Sequence, residues 1–512
     1  MTWDGSPEKA QSVFDYFNGG SVDLLLVQPP VFPPGTPVDG VGEPIVRRYW
    51  ELLYSLDERL SDQITEPNIG LLTVASAARR AGLSVQYVDL HILDLALRDR
   101  ERRGIAEGDI RRALAGWRSP LVGLNAMASN WGWARRTAAI ARAVMPEALL
   151  ALGGVHATLV GGRCLEECPE LEVVARGEGE ETIVDLASAA QGGCRRLPDA
   201  LRGIPGTVYR AKDGSIVENP PREEIDLDAV PYPAYDLVPR EAYPIVFRVA
   251  ANRGCSGTCR FCSMRAFWGG RVRRRDPVRV VDEIEHWHRT AGCRRFMMGD
   301  LTFMQHPEHS RAVCRELVRR RLPVEWWCQV RSGELSREDA ELLRAAGCTQ
   351  VAFGVEAGDQ ERLDAVRKNI SAQDAAGFCR MLKELGFFVQ AYFLLGLPGE
   401  TLDSALRTVR TIDELLASDT LDVTHISFLV PYPGTELYRD PGPGLQVLSH
   451  DYDRYFSGVS RLLSMMPVIS TPELDAHRIR ALWQLALAVA SSHYARRIEA
   501  RRAAGGGGVA RA

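Results

Sequence analysis

The chain has 512 residues, 46% of them hydrophobic and 25% charged, with a formal net charge of −4. That length buries more than one core, so two or three domains are expected, and the near-neutral balance excludes the basic domain or stripe of a nucleic-acid-binding protein. No apolar run is long enough to cross a bilayer, and the start, Met1-Thr-Trp-Asp-Gly-Ser-Pro-Glu8, lacks the basic and apolar regions of a signal peptide, so a cytoplasmic protein without a membrane partner is expected.

The first part alternates strand and helix signals. Short apolar runs at residues 23–27, 84–88, 120–125, 148–152 and 171–174 read as strands, and residues 70–80, 131–144 and 180–190 read as helices between them. This is the repetition of an open parallel α/β sheet, which binds ligands past the carboxyl ends of its strands. Those ends carry Asn125-Ala-Met-Ala-Ser129, Gly153-Gly154-Val-His156-Ala-Thr158 and Gly177-Glu178-Gly179-Glu180. Glycines there allow close backbone approach to a bulky ligand, and the amides opening the following helices can hold a phosphate or polar tail. A hairpin around Asp213-Gly214 and an extended stretch from Pro220 to Pro233 follow. The expected division is a first domain over 1–200, a hairpin and Pro-rich linker over 201–243, a second β-α series over 244–440 and a helical C-terminal region over 441–512.

The second series places strands at 245–250, 295–298, 324–328, 350–353, 388–393 and 423–428, with a helix over 280–289. Six strands with polar turns behind them, among them Gly299-Asp300, Gln329-Val-Arg331, Gly354-Val-Glu356 and Gly396-Leu-Pro-Gly399, suit a partial parallel barrel of the TIM type. Behind the first of these strands stand Cys255, Cys259 and Cys262, flanked by Gly254 and Gly257. Three thiolates at that spacing can hold an iron-sulfur cube and leave its fourth iron without a protein ligand. The alternatives are zinc, whose structural sites need a fourth ligand and usually a second close Cys/His pair, and three unrelated buried thiols. Of the 11 cysteines, Cys164, Cys168, Cys194, Cys293, Cys314, Cys328, Cys348 and Cys379 are scattered and read as small buried hydrophobes rather than disulfide partners.

Cys255-xxx-Cys259-xx-Cys262 after the first strand of a partial barrel resembles the radical S-adenosylmethionine superfamily. Gly-Gly-x-His-x-Thr and Gly-Glu-Gly-Glu ahead of the barrel make the chain similar to its cobalamin-binding subgroup, largely methyltransferases, over about residues 20 to 440. The resemblance implies a Rossmann-like cobalamin domain, a partial (β/α)6 barrel, and a 4Fe-4S cluster on Cys255, Cys259 and Cys262 whose open iron binds S-adenosylmethionine. It further implies that Phe261, Gly299, Asp300, Arg331, Glu356 and Gly396 border that cofactor. Asn125, Ser129, Gly153, Gly154, His156, Thr158, Gly177, Glu178, Gly179 and Glu180 would border cobalamin. The activity it implies is methyl transfer from methylcobalamin to an unactivated carbon of a small molecule, after hydrogen abstraction by a 5′-deoxyadenosyl radical. A flavodoxin- or ferredoxin-type donor would supply electrons. No catalytic acid or base stands out.

The chain departs from many cobalamin proteins in one respect. Where they carry Asp-x-His-x-x-Gly after the first strand, this chain has Gln28-Pro29-Pro30, and Asp89-Leu-His91 follows the second strand and lacks the glycine. Base-off cobalamin without a histidine ligand is therefore expected. A cyclase or oxidative rearrangement enzyme would carry the same motifs; a methylthiotransferase would need a second cluster, for which Cys164 and Cys168 lack a third partner; and a cobalamin carrier or sensor would leave the cysteine loop unexplained. The run Arg271-Val-Arg-Arg-Arg275 reads as a solvated loop or a docking patch for an acidic electron donor. Cys328 reads as a buried thiol or a hydrogen donor beside the cofactor. Residues 472–502 read as a helix over the barrel mouth or its open side, and 503–512 as a mobile tail. The 10 tryptophans permit an aromatic-lined pocket without naming its occupant.

Overall fold

The structure, a computed structural model, describes residues 16–32, 44–56, 66–191, 198–239, 243, 247–455 and 466–503. Cys194, residues 245 and 246 of the expected strand and the expected tail beyond 503 lie outside the described residues. No described helix is long and apolar enough to cross a membrane.

Two parallel sheets organise the chain. The first holds β1 (Leu24–Gln28), β2 (Val85–Asp89), β3 (Leu121–Asn125), β4 (Leu149–Gly153), β5 (Val173–Ala175), β6 (Thr207–Arg210) and β7 (Ile216–Glu218). Their order is β2-β1-β3-β4-β5-β6-β7, the first five parallel and the last two antiparallel. The hairpin expected as part of a linker is thus the edge of this sheet, because β6 finds an open edge at β5 and satisfies its backbone there. Every residue of β1 and β3 is buried, as a central strand covered on both faces requires. The chain leaves β1 in one direction to β2 and later returns to the other side at β3, so a topological switch point lies between them, and it opens past Gln28 and Asn125.

The second sheet holds β8 (Phe247–Val249), then, after the two-stranded ribbon of β9 (Asn252–Gly254) and β10 (Val272–Arg274), the strands β11 (Arg295–Met298), β12 (Glu325–Val330), β13 (Cys348–Glu356), β14 (Phe388–Leu395) and β15 (Val423–Phe428). Its order is β8-β11-β12-β13-β14-β15 with every pair parallel. Helices α1 (Pro44–Leu56) and α2 (Ile69–Arg80) belong to the first half, and α3 (Ala476–Ala503) ends the described chain. α1 and α3 pack together beside β15: Trp483 Nε1 donates to the Ile426 carbonyl at 2.8 Å, and the Thr424 amide donates to Tyr494 Oη at 2.8 Å. They cover the β15 edge of the second sheet.

The carboxyl edges of the two sheets face each other. A Cβ on Gly434, in the turn after β15, would stand 2.8 Å from Leu159, in the short helix after β4. Arg253 of β9 reaches Glu178 and Glu180 in the turn after β5, at 2.5 and 2.6 Å.

Candidate active site between the two sheets

The cysteine loop is the stretch between the two strands of the ribbon. At Gly254, where φ is 106°, a Cβ would stand 1.9 Å from the Arg271 carbonyl oxygen, so only glycine lets the ribbon close directly ahead of Cys255. Asp300, buried at the end of β11, accepts the amides of Ala251 and Asn252 at 3.0 and 2.8 Å and ties the ribbon's start to the sheet. Burial pushes the Asp300 carboxyl up to about 7 despite these two donors. Gly299 lies against Arg248, where a Cβ would meet Cγ at 2.6 Å, and its amide donates to the Val249 carbonyl at 2.7 Å. In this structure Gly299 and Asp300 set the loop's position.

Cys255, Cys259 and Cys262 are partly buried and unbridged. Burial raises the Cys259 and Cys262 thiols; Lys368 pulls both back, and Arg331 pulls back Cys259. Among the described residues no three His, Cys, Asp or Glu side chains converge on a single-ion site. Three thiolates on one short loop suit a 4Fe-4S cluster, in which each holds a different iron. The cations beside them suit the negative charge of such a cluster, so the residues fit the group.

Lys368 carries no motif signal. It pairs with Glu356 at 2.6 Å with both side chains buried; burial lowers the ammonium's pKa, but Glu356 and Cys259 together outweigh it and hold it above its ordinary value. Glu356 has a φ of 65°, and a Cβ on Gly354 would strike its carboxylate. Arg331 donates to the Lys368 carbonyl at 2.7 Å and stands 3.4 Å from the Cβ position of Gly257. Arg331 and Glu356 therefore meet at Lys368, beside the cysteine loop. Phe261 is half-buried against the core. Gly396 adopts a φ of 82° and is backed by Ile469 and Ile479, and its amide donates to the buried Glu400, whose carboxyl burial raises to about 8.

At the switch point of the first sheet three amides meet. Gln28 Oε1 accepts from Asn68 Nδ2 at 2.8 Å and from Asn125 Nδ2 at 3.1 Å. Gln28 drew notice in the sequence only as part of Gln28-Pro29-Pro30, where a histidine motif is missing, and Asn68 was not singled out; its only signal was polarity beside an apolar run. Gly154, with φ of 100°, packs its α-carbon against Asn125 and Ala126, where a Cβ would approach to 2.3 and 2.7 Å, whereas a Cβ on Gly153 or Gly177 would enter open space. Thr158 accepts the Gly177 amide at 3.0 Å and donates to the Gly154 carbonyl at 2.9 Å, joining two of the turns. Ser129 lies in the short helix after β3, and Gly179 packs on Val74 of α2. His156 is buried between Trp131 and Tyr452, neither ring nitrogen has a partner among the described residues, and burial pulls its pKa down to about 3. An uncharged, amide-lined crevice with open glycine backbone fits a large neutral ring bearing amide side chains, as cobalamin is.

Glu178 and Glu180 are turned elsewhere. Glu178 takes Arg253 and Arg273, and Glu180 takes Arg253. Burial pushes the Glu178 carboxyl up, but Arg273 and Arg253 outweigh it and hold it below its ordinary range. Only the backbone of this turn faces the crevice; its acids grip the strand that leads into Cys255. The basic run is likewise neutralised from within: Arg271 pairs with Glu224, Arg273 with Glu178 and Arg275 with Glu283. That removes much of its charge as a docking patch. Cys328 lies on the helix-facing side of β12 with Cys314 and Cys348, so it is a core thiol away from the site. His91 packs edge-on to Phe32, and Asp89 caps the helix that contains it.

The B12 binding domain family matches residues 63–187 and the Radical SAM superfamily matches residues 250–412. The chain belongs to the cobalamin-binding radical S-adenosylmethionine enzymes. It is 31% identical over 379 residues to an anaerobic magnesium-protoporphyrin IX monomethyl ester cyclase of Rubrivivax gelatinosus, covering 72% of this chain and 65% of that one. An uncharacterized methyltransferase of Pyrococcus horikoshii is 28% identical over 384 residues, covering 73% of this chain and 78% of that one. The solved structure of the radical S-adenosylmethionine methyltransferase TsrM from Kitasatospora setae has the same fold, with a TM-score of 0.61, 22% identity, and coverage of 86% of this chain and 81% of that one. The chain thus spans about two thirds of the cyclase's length, and family members of both chemistries resemble it.

Proposed function

We propose that this enzyme is a cobalamin-dependent methyltransferase acting on an unactivated carbon of a small molecule. The observation that carries this reading is the Arg253 bridge: the residue two places ahead of Cys255 is held by Glu178 and Glu180, so the cysteine loop and the amide-lined crevice are parts of one site. When bound, the cluster supplies an electron that opens S-adenosylmethionine, and cobalamin supplies the methyl group.

In this reading Cys255, Cys259 and Cys262 hold the cluster, and Lys368 and Arg331 offset its charge. Phe261, Gly299, Arg331, Glu356 and Gly396 border S-adenosylmethionine, while Asp300 keeps the ribbon in register. Gln28, Asn68, Asn125, Ser129, Gly153, Gly154, His156, Thr158, Gly177 and Gly179 line the cobalamin crevice, and Glu178 and Glu180 act from behind by holding Arg253. Because β1 ends in Gln28-Pro29-Pro30, cobalamin would bind base-off, without a histidine ligand from this turn; strong axial nitrogen coupling in the paramagnetic resonance spectrum of the cob(II)alamin form would overturn this. An external low-potential protein of the flavodoxin or ferredoxin type serves as reductant.

Anaerobic turnover across a substrate panel tests the reading. Equal amounts of 5′-deoxyadenosine and S-adenosylhomocysteine, with a product heavier by one methyl group, are expected. Deoxyadenosine alone, with a product of unchanged or lower mass, would move the enzyme to the cyclase branch, the second reading, which the 31% identity to the Rubrivivax gelatinosus cyclase favours.

A further inference from the structure

The two faces of the second sheet differ in chemistry. On the helix-facing side Phe296, Trp326, Cys328, Val351, Phe353, Val389, Ala391, Phe393 and Phe428 are buried and apolar. Pairing in register places Trp327 beside Gln350, Gln329 and Gln390 on either side of Ala352, and Tyr392 between Gly354 and His425, all on the opposite, inner face. Trp327, Gln329, Tyr392 and His425 are partly accessible although they face the middle of the molecule. A barrel filled with side chains would bury them, so its interior is open at these levels.

This face holds polar atoms that the fold leaves unpaired. Gln390 is fully buried and neither its Nε2 nor its Oε1 has a partner among the described residues; the same holds for Nε2 of Gln350, which is 3% exposed, and for both ring nitrogens of His425. Beside them on α1, Trp50 Nε1 and Tyr54 Oη are also buried, without partners among the described residues. Unpaired polar groups in a native interior are few, and several gathered on one surface mark a place where something else supplies the bonds. The same surface is aromatic. Tyr392 stacks on His425 at 5.3 Å and 27°, Trp50 lies 6.2 Å from His425, and Trp50 stacks on Tyr54 at 5.6 Å.

Among the described residues the compartment presents no unpaired charge. Tyr392 faces Glu356 and Arg248, and each of these is already ion-paired, with Lys368 and Glu66 respectively. Burial pulls the His425 imidazole down to about 4, which keeps it neutral. A ligand carboxylate or phosphate would lose its hydration here without gaining a free cation.

We propose that the inner face of the second sheet, with α1 closing its side, is the substrate compartment, and that it takes an uncharged planar molecule carrying amide-type donors and acceptors, hydrogen-bonded by Gln350, Gln390 and His425 and packed against Tyr392 and Trp50. The proposal rests on the enzymatic reading above only in calling the bound molecule the substrate.

Calorimetric titration of the anaerobic holoenzyme, loaded with cluster, cobalamin and S-adenosylhomocysteine, tests it with two probes of one shape, quinoline-3-carboxamide and quinoline-3-carboxylate. The carboxamide binds the native protein at least about ten-fold more tightly than the carboxylate, and Gln390→Leu and His425→Phe each weaken the carboxamide by about ten-fold or more. Equal affinity for the two probes, binding of neither, or carboxamide binding unchanged in both variants would overturn the proposal. The comparison of probes on the native protein needs no variant to fold. Gln390→Leu is expected to unfold no lower than the native protein, since it removes unpaired buried atoms; a markedly lower midpoint would mean that the amide is paired within the fold and would also overturn the proposal. None of these readouts involves turnover, so a failure of methyl transfer leaves the compartment standing, and a failure of binding leaves the methyl-transfer reading to its own assay.

Discussion

The turns at the carboxyl edge of the first sheet are lined by neutral amides and open glycines, whereas those of the second are crowded with charge. Gln28, Asn68 and Asn125 bond one another without an ion among them, while Lys368, Glu356 and Arg331 stand beside the cysteine loop. Both edges share the same strand-turn-helix architecture, so on the proposed reading the difference lies in what each would face. A neutral corrinoid bearing many amides asks for shape and hydrogen bonds, and an anionic cluster with a charged cofactor asks for compensating charge. The two edges are joined where the acids of one reach the arginines of the other.

Breaking the charged edge has the largest effect. Cys259→Ala is expected to lose labile iron and sulfide and to reduce turnover to the uncatalysed background, measured on anaerobically purified protein, with absorbance of bound cobalamin retained. Cutting the joint comes next. Arg253→Met leaves Glu178 and Glu180 largely buried without their shared partner and is expected to destabilise the fold by about 3 kcal/mol in denaturant titration. Adding Glu178→Gln and Glu180→Gln to it should return most of that loss, and a loss that persists would show that Arg253 acts through something other than these acids.

Gly154→Ala and Gly153→Ala sharpen the description of the neutral edge. The first drives a Cβ onto Asn125 and Ala126 at a φ of 100° and should cost about 2 kcal/mol; the second meets nothing within 4 Å and should leave the fold within about 0.5 kcal/mol while lowering cobalamin affinity, read by equilibrium titration. Loss of stability in both would mean that the turn serves packing alone.

The pH dependence separates the edges more gently. Asp300 and Glu400 have carboxyls raised to about 7 and about 8, so each binds its proton more tightly in the folded state than in the unfolded one. Their contribution is fully present below about pH 4 and is lost as pH rises through 7 to 8. Between pH 5.5 and 7.5 Asp300→Asn should flatten the fall in unfolding free energy by about 1–2 kcal/mol. His156, pulled to about 3, stays neutral in the folded state but takes up a proton near pH 6.5 once unfolded, so it adds stability as pH rises through that value, and His156→Gln should steepen the net fall in unfolding free energy between pH 5.5 and 7.5 by about 1 kcal/mol.

Much of the fold around this site was legible in the chain. Strand runs such as Leu24–Gln28 and Leu149–Gly153 are apolar throughout because both faces are covered, and the glycine turns behind them are local signals. The reading of individual side chains fared unevenly. Glu178 and Glu180 sit in a motif whose backbone faces the crevice, but their carboxylates answer to arginines 73 to 95 residues away. Lys368, in the loop after the short helix Gln360–Ala365, has no spacing that announces it. α1 was not expected at all, and only its packing on α3 and β15 gives its apolar positions a purpose.

The sequence by itself determined the two β-α series and the cysteine loop that points to the cofactor family, because the cysteine spacing, the strand periodicity and the glycine turns all act over a few residues. Only the tertiary structure decided which side chains face which partner: that the hairpin Thr207–Glu218 extends the first sheet, that the basic run is neutralised by acids from elsewhere, and that Gln350, Gln390 and His425 share one unpaired inner face. Those outcomes depend on strand register and on contacts between distant segments, and neither leaves a mark in the local pattern of residues.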